Sequence, residues 1–118
     1  MSNYRQSTAN ALGFEVKNKM NELGRFDDYF IGDKWECRVQ EWQPDKDANQ
    51  REMIEDWLIE QGWSIKIRYA YLGPPGYQWN VEFYKYVPPP KVFIKHSGDG
   101  KSKSLAFEKA WEEYNKQQ

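Results

Sequence analysis

Apolar and polar positions follow two different periods along this chain, and the change of period marks out its elements. Over residues 8–23, Ala9, Leu12, Val16, Met20 and Leu23 recur at spacings of 3, 4, 4 and 3, which places them on one helical stripe. Gly24 stands where a helix C-terminal glycine belongs. Gly13 inside the run should cost about 1 kcal/mol relative to Ala, so this helix is expected to fray or start late. After an acidic and aromatic connection, Arg25 to Phe30, the segment Trp35-Glu36-Cys37-Arg38-Val39 alternates apolar with charged residues and predicts a short, half-buried strand. Pro44 and Asp45 stop it. Asp47, with Gln50 three residues on, forms a variant of the capping box. The helix that follows carries Met53, Ile54, Trp57 and Leu58 on one face and ends before Gly62.

The second half reads mainly as strands. Trp63, Ile65, Ile67, Tyr69 and Tyr71 alternate with Ser64, Lys66, Arg68, Ala70 and Leu72, and Gly73-Pro74-Pro75-Gly76 turns the chain. Tyr77, Trp79, Val81 and Phe83 continue the apolar face on the return, with Gln78, Asn80, Glu82 and Tyr84 opposite, which is the clearest hairpin in the chain. Val87-Pro88-Pro89-Pro90-Lys91 lacks three amide donors and is stiff, so it predicts a rigid connection to an outer strand, Val92 to Lys95. Ser97-Gly98-Asp99-Gly100 reads as a turn. A last helix starts near Ser102 or Ser104 and buries Ala106, Phe107, Ala110, Trp111 and Tyr114.

The expected fold is a single α+β domain over 1–118, in the order α-β-α-β-β-β-α, with an N-terminal helical segment at 1–24 and a core at 33–118. Its sheet is mainly antiparallel, with a central hairpin at about 63–86 and a third strand, and helices pack on its apolar face. The apolar fraction of 39% against 30% charged would suit a disordered chain, but 6 Trp, 8 Tyr and 6 Phe do not. Aromatic rings that each bury roughly 150–250 Å² supply the core that the aliphatic residues could not.

Charge and ligand-type residues exclude several functions. Lys and Arg number 17 against 18 Asp and Glu, a net of −1, which is not the balance of a generally basic nucleic-acid coat. Residues 1–60 hold 8 basic and 13 acidic side chains, net −5, and residues 61–118 hold 9 and 5, net +4. The lone Cys37 cannot form an internal disulfide and reads as inert core. With one cysteine and one histidine, His96, no zinc site can be built from two or more of either. No cofactor and no metal are expected. His96 beside Ser97, Ser102 or Ser104 would be the one nucleophile pair available to an enzyme. A surface histidine at a strand end is the plainer expectation. Asp27, Asp28 and Asp33 lack calcium-loop spacing and read as an acidic surface. The N-terminal residues lack a signal-peptide pattern and no stretch is long enough to span a bilayer, so a cytoplasmic protein without membrane contact is expected.

Two resemblances add to this. Gly98-Asp99-Gly100-Lys101-Ser102-Lys103-Ser104-Leu105-Ala106, with Ala110 further on, resembles the C-terminal motif of double-stranded RNA-binding domains, whose order of helix, three strands and helix fits from about residue 49. That likeness implies an anion or nucleic-acid site at Lys95, Lys101, Ser102 and Lys103. Ser104 stands where the second motif lysine is expected and Phe107 where the next is, the histidine expected near the Gly-Pro turn is missing, and the preceding helix is acidic where RNA contacts are needed.

The second resemblance covers more of the chain. Trp42-Gln43-Pro44-Asp45-Lys46-Asp47, Gln61-Gly62-Trp63, Trp79-Asn80-Val81-Glu82-Phe83, Ser104-Leu105-Ala106 and Lys109-Ala110 resemble the small tailed-phage proteins of the α-β-α sandwich type. It implies a non-enzymatic phage or mobile-element protein in the bacterial cytoplasm. Such a protein binds a host protein or ribonucleoprotein and can inhibit a defence system such as a CRISPR effector. A double-stranded-RNA-binding module is the alternative function and a small enzyme the third. A protein partner is expected on the open sheet face at Lys66, Arg68, Tyr84 and Tyr86, which mix charge with large amphipathic rings. Nucleic-acid binding is expected to be weak.

Overall fold

The helical stripe of residues 8–23 is only half realised. The computed structural model describes residues 4–21, 24–71, 73–74, 76–87 and 92–116, and the side chains of all of these except 19–21, 24–26 and 92. Helix α1 spans Tyr4–Ala11 and is followed by Gly13, whose φ of 82° suits glycine and strains other residues. The chain then forms β1 (Glu15–Asn21) and β2 (Gly24–Ile31), paired antiparallel with Val16 opposite Tyr29 and Lys17 opposite Asp28. The helical segment expected over 1–24 therefore stops at Ala11. Gly24 opens a strand, and the supposed connection from Arg25 to Phe30 is that strand. The reason is a degeneracy: Val16 and Met20 lie four apart, a spacing that shares a face in a helix and in a strand alike. Leu23, the last member of the stripe, lies outside the described residues.

Strand β3 (Lys34–Arg38) pairs with β2, and Val39 leaves it in a single 3-10 turn. Asp47 caps α2 (Ala48–Glu60), its carboxylate accepting from the Asn49 and Gln50 amides at 2.9 and 3.2 Å. Gln50 does not complete the box. Its side chain accepts from the Gln43 amide at 2.6 Å and donates to the Glu41 carbonyl at 2.9 Å, tying the helix start to the turn before it. Ile54 and Leu58 are buried and Trp57 half-buried, while Met53 stays exposed.

The hairpin forms as the alternation predicts, from β4 (Ser64–Tyr71) and β5 (Tyr77–Val87), with Ile65 opposite Phe83 and Tyr71 opposite Tyr77. Leu72 of the alternation, Pro75 of the expected turn, and Pro88 to Lys91 of the expected rigid connection lie outside the described residues. Strand β6 (Val92–Gly100) pairs with β5 as far as Gly100 opposite Trp79, so the turn expected at Ser97 to Gly100 is strand. Its glycines serve a different need. A Cβ on Gly98 would lie 2.3 Å from the Ala110 amide nitrogen and 2.5 Å from the Ala106 carbonyl oxygen. Gly98 thus marks where a helix backbone rests on the strand. That helix is α3 (Lys103–Lys116), and Ser102 Oγ accepts from the Leu105 amide at its start.

Two three-stranded antiparallel sheets result, β1-β2-β3 and β4-β5-β6. The order is α-β-β-β-α-β-β-β-α, with two more strands near the N-terminus than the pattern suggests. Helix α3 covers one face of the second sheet, where Phe107 and Tyr114 meet Phe83 at ring separations of 5.2 and 6.5 Å. Helix α1 docks through two indoles. Trp111 Nε1 donates to Ser7 Oγ at 2.8 Å, and Trp42 Nε1 donates to Thr8 Oγ1 and the Arg5 carbonyl, both at 3.1 Å. Arg5 also forks onto Asp45 at 2.8 and 3.0 Å. One core joins Tyr4, Phe14, Tyr29 and Trp42 to Ile54, Val81, Phe83 and Trp111, which makes the molecule a single α+β domain.

Candidate binding face

Strand alternation sorts the second sheet into two faces. Trp63, Ile65, Val81, Phe83, His96 and Gly98 point toward the helices, and Lys66, Arg68, Tyr84 and Tyr86 share the other face, as their sequence parity predicts. This face is held in order by a polar ladder. Arg68 Nε donates to Asn80 Oδ1 at 3.2 Å, and Asn80 Nδ2 donates to Asp99 Oδ1 at 2.6 Å. Arg68 Nη2 and Lys95 Nζ each lie 3.8 Å from Glu82 Oε1. Such partly exposed pairs add little stability, but they hold the guanidinium in one place. Beside them Phe93 lies 6.0 Å from the Tyr84 ring and 5.1 Å from the Tyr86 ring. The sequence pattern does not single out Phe93. The register does, by setting it opposite Tyr86.

The four residues of the RNA-type site are not all brought together. Lys101, Ser102 and Lys103 gather at the start of α3, where Lys103 Nζ lies 5.1 Å over the Trp79 ring on the helix side of the sheet. Lys95 stands on the open face further back along β6, in the Glu82 pair. Exposed Tyr69, Tyr71 and Tyr77 form a cluster beyond the cover of α3, the Tyr69 and Tyr77 rings stacked at 5.6 Å. Nearby α2 exposes Glu52, Asp56 and Glu60, which oppose phosphate.

His96 departs from expectation. It is not a surface residue at a strand end but sits within β6, 6% exposed, with Trp63 and Tyr114 rings 5.3 and 5.7 Å away. Pairing with Phe83 puts it on the apolar face, a placement that depends on register. Ser97, next in the strand, points the other way, so these two form no nucleophile pair.

Burial holds the His96 imidazole below its ordinary pKa, with Glu113 of α3 pulling in the opposite direction. The unfolded chain therefore takes up a proton before the folded one does, and stability is lost as pH falls below about 6.5. Burial raises Glu55 and Glu108, and these groups act in the other direction, losing their contribution as pH rises. His96→Phe is expected to remove the acid-side loss between pH 7 and 5, measured as urea midpoints of the two proteins across that range. Parallel pH profiles would show that His96 does not govern it.

Cys37 is half-buried on β3, and burial first, then Glu41, Glu36 and Asp28, raise its thiol pKa and disfavour the reactive thiolate. Asp27 and Asp33 are exposed and Asp28 is buried on β2. Among the described residues no three His, Cys, Asp or Glu side chains converge to hold a metal ion, and no helix is long and apolar enough to cross a membrane. Comparison with protein-family models, with curated proteins and with solved structures returned no match.

Proposed function

We propose that the protein is a non-enzymatic binding protein of a phage or mobile element that docks a host protein or ribonucleoprotein through the open face of β4-β5-β6. The observation that carries this reading is the aromatic patch of half-buried Tyr84 with exposed Tyr86 (65%) and Phe93 (48%) beside the Arg68–Glu82–Lys95 cluster. Tyr and Arg are the side chains that most often carry interface energy. Aromatic rings held next to an ordered guanidinium lose little freedom on docking. The phage setting rests on the motif around Trp42 to Asp47 and those that follow it, and occupying the surface of a defence effector such as a CRISPR ribonucleoprotein is how such a protein would inhibit it.

A second reading has its own observation. Residues 48–116 run helix, three antiparallel strands, helix, the order of a double-stranded RNA-binding domain, with Lys101 and Lys103 at the start of the last helix. The acidic exposed side of α2 weighs against it.

Immobilised wild type is expected to retain one specific host component that Arg68→Ala with Tyr84→Ala does not, provided circular dichroism shows the variant folded. Equal retention by both would remove the open face from consideration. Duplex RNA binding is expected to be weak and to vanish near physiological salt. Submicromolar binding there, abolished by Lys101→Ala with Lys103→Ala, would favour the second reading.

A further inference from the structure

Behind the open face, at the end of the sheet where β5 and β6 run past the last turn of α3, lies a cavity of about 480 Å³. Trp63, Val87, Ile94 and Tyr114 form its apolar and aromatic walls, and Lys85 and His96 also line it. Two features of this lining are unusual for a structural gap. Lys85 Nζ lies 4.4 Å over the Trp63 ring and has no carboxylate partner among the described residues. His96 is 6% exposed between the Trp63 and Tyr114 rings, and among the described residues nothing hydrogen-bonds its ring nitrogens.

We infer that this cavity is a binding site for a small amphipathic monoanion, a carboxylate carrying a compact apolar or aromatic body. The Lys85 ammonium supplies the counter-charge and His96 a second polar contact for the carboxylate, while the body lies against Trp63, Val87, Ile94 and Tyr114. The cavity falls within the size range of small-ligand sites, which pair apolar walls with a few convergent polar groups. A single ammonium suits one negative charge; a phosphate dianion would leave charge uncompensated. A neutral His96, kept so by burial, offers one donor and one acceptor and adds no second cation. This inference stands apart from the docking face, since the two lie on opposite sides of the sheet.

The protein has one histidine, so its imidazole proton–carbon signal needs no assignment. Titration of wild type with 4-phenylbutyrate and, separately, with its primary amide is the test. The carboxylate is expected to shift the His96 signal saturably with a Kd below about 1 mM, at least tenfold tighter than the amide. Lys85→Met, with its thermal midpoint checked against wild type, is expected to abolish the tenfold preference, and Lys85→Arg to keep it. Equal affinity for acid and amide in wild type, or no saturable shift with either, overturns the proposal without recourse to any variant.

Discussion

Gly98→Ala is expected to lower folding stability by about 3 kcal/mol, at the upper end of what overpacking a core costs, and Gly98→Val to prevent folding. The added Cβ would meet backbone on the neighbouring helix, the Ala110 amide at 2.3 Å and the Ala106 carbonyl at 2.5 Å. No rotamer change can relieve such a contact. Helix α3 would have to lift from β6, and it carries Phe107, Trp111 and Tyr114 into the core. Ala106 and Ala110 are small for the same reason: their lack of side-chain bulk lets the helix lie this close. Gly100→Ala provides an internal comparison. Its closest contacts are the Ala106 amide at 2.9 Å and the flexible Leu105 side chain at 3.0 Å. That variant is expected to lose less than half as much. Urea unfolding of the three proteins measures the difference, and a Gly98→Ala midpoint matching wild type would disprove the close helix–strand seam.

Removing Trp42 is the second large effect. Trp42 is 2% exposed, packs edge-on against Phe14 at 4.9 Å, and holds α1 through the Thr8 hydroxyl and the Arg5 carbonyl. Phe14 in turn meets Tyr29 of β2 at 5.3 Å, so one indole joins the N-terminal helix, the first sheet and the turn before α2. Trp42→Ala is expected to cost about 3–5 kcal/mol, the range for emptying a large aromatic site. Trp42→Phe keeps most of the volume and loses the two hydrogen bonds, for about 1–2 kcal/mol. Hydrogen exchange locates the damage. Amides of α1 and β1–β3 should exchange faster while those of β5 and β6 stay protected, and uniform acceleration would mean that Trp42 does not act as this junction.

The motifs that carry the phage-type resemblance have structural work in this fold. Trp42 fastens α1, Asp45 receives the Arg5 fork and accepts at its carbonyl from Ser104 Oγ, and Ala106 with Ala110 makes room for β6. The open face of β4-β5-β6 draws on those motifs only through Asn80 and Glu82.

Sequence by itself determined the elements whose cues are local. The Asp47 cap, the α2 face of Ile54 and Leu58, the period-two hairpin and the five buried positions of α3 all follow from side-chain spacing along a single element. So does the shared face of Lys66, Arg68, Tyr84 and Tyr86, because parity along two paired strands is enough to define it. Tertiary structure decided the rest. Val16 and Met20 satisfy helix and strand equally, and only pairing with Arg25 to Tyr29 selects the strand. Gly98 and Gly100 look like a turn until a helix backbone lies on them. His96 is polar in composition and buried by register, and Phe93 gains its place from the tyrosines across the strand. In each of these cases the deciding partner lies elsewhere in the chain, so the residue's own neighbours in sequence carry no record of it.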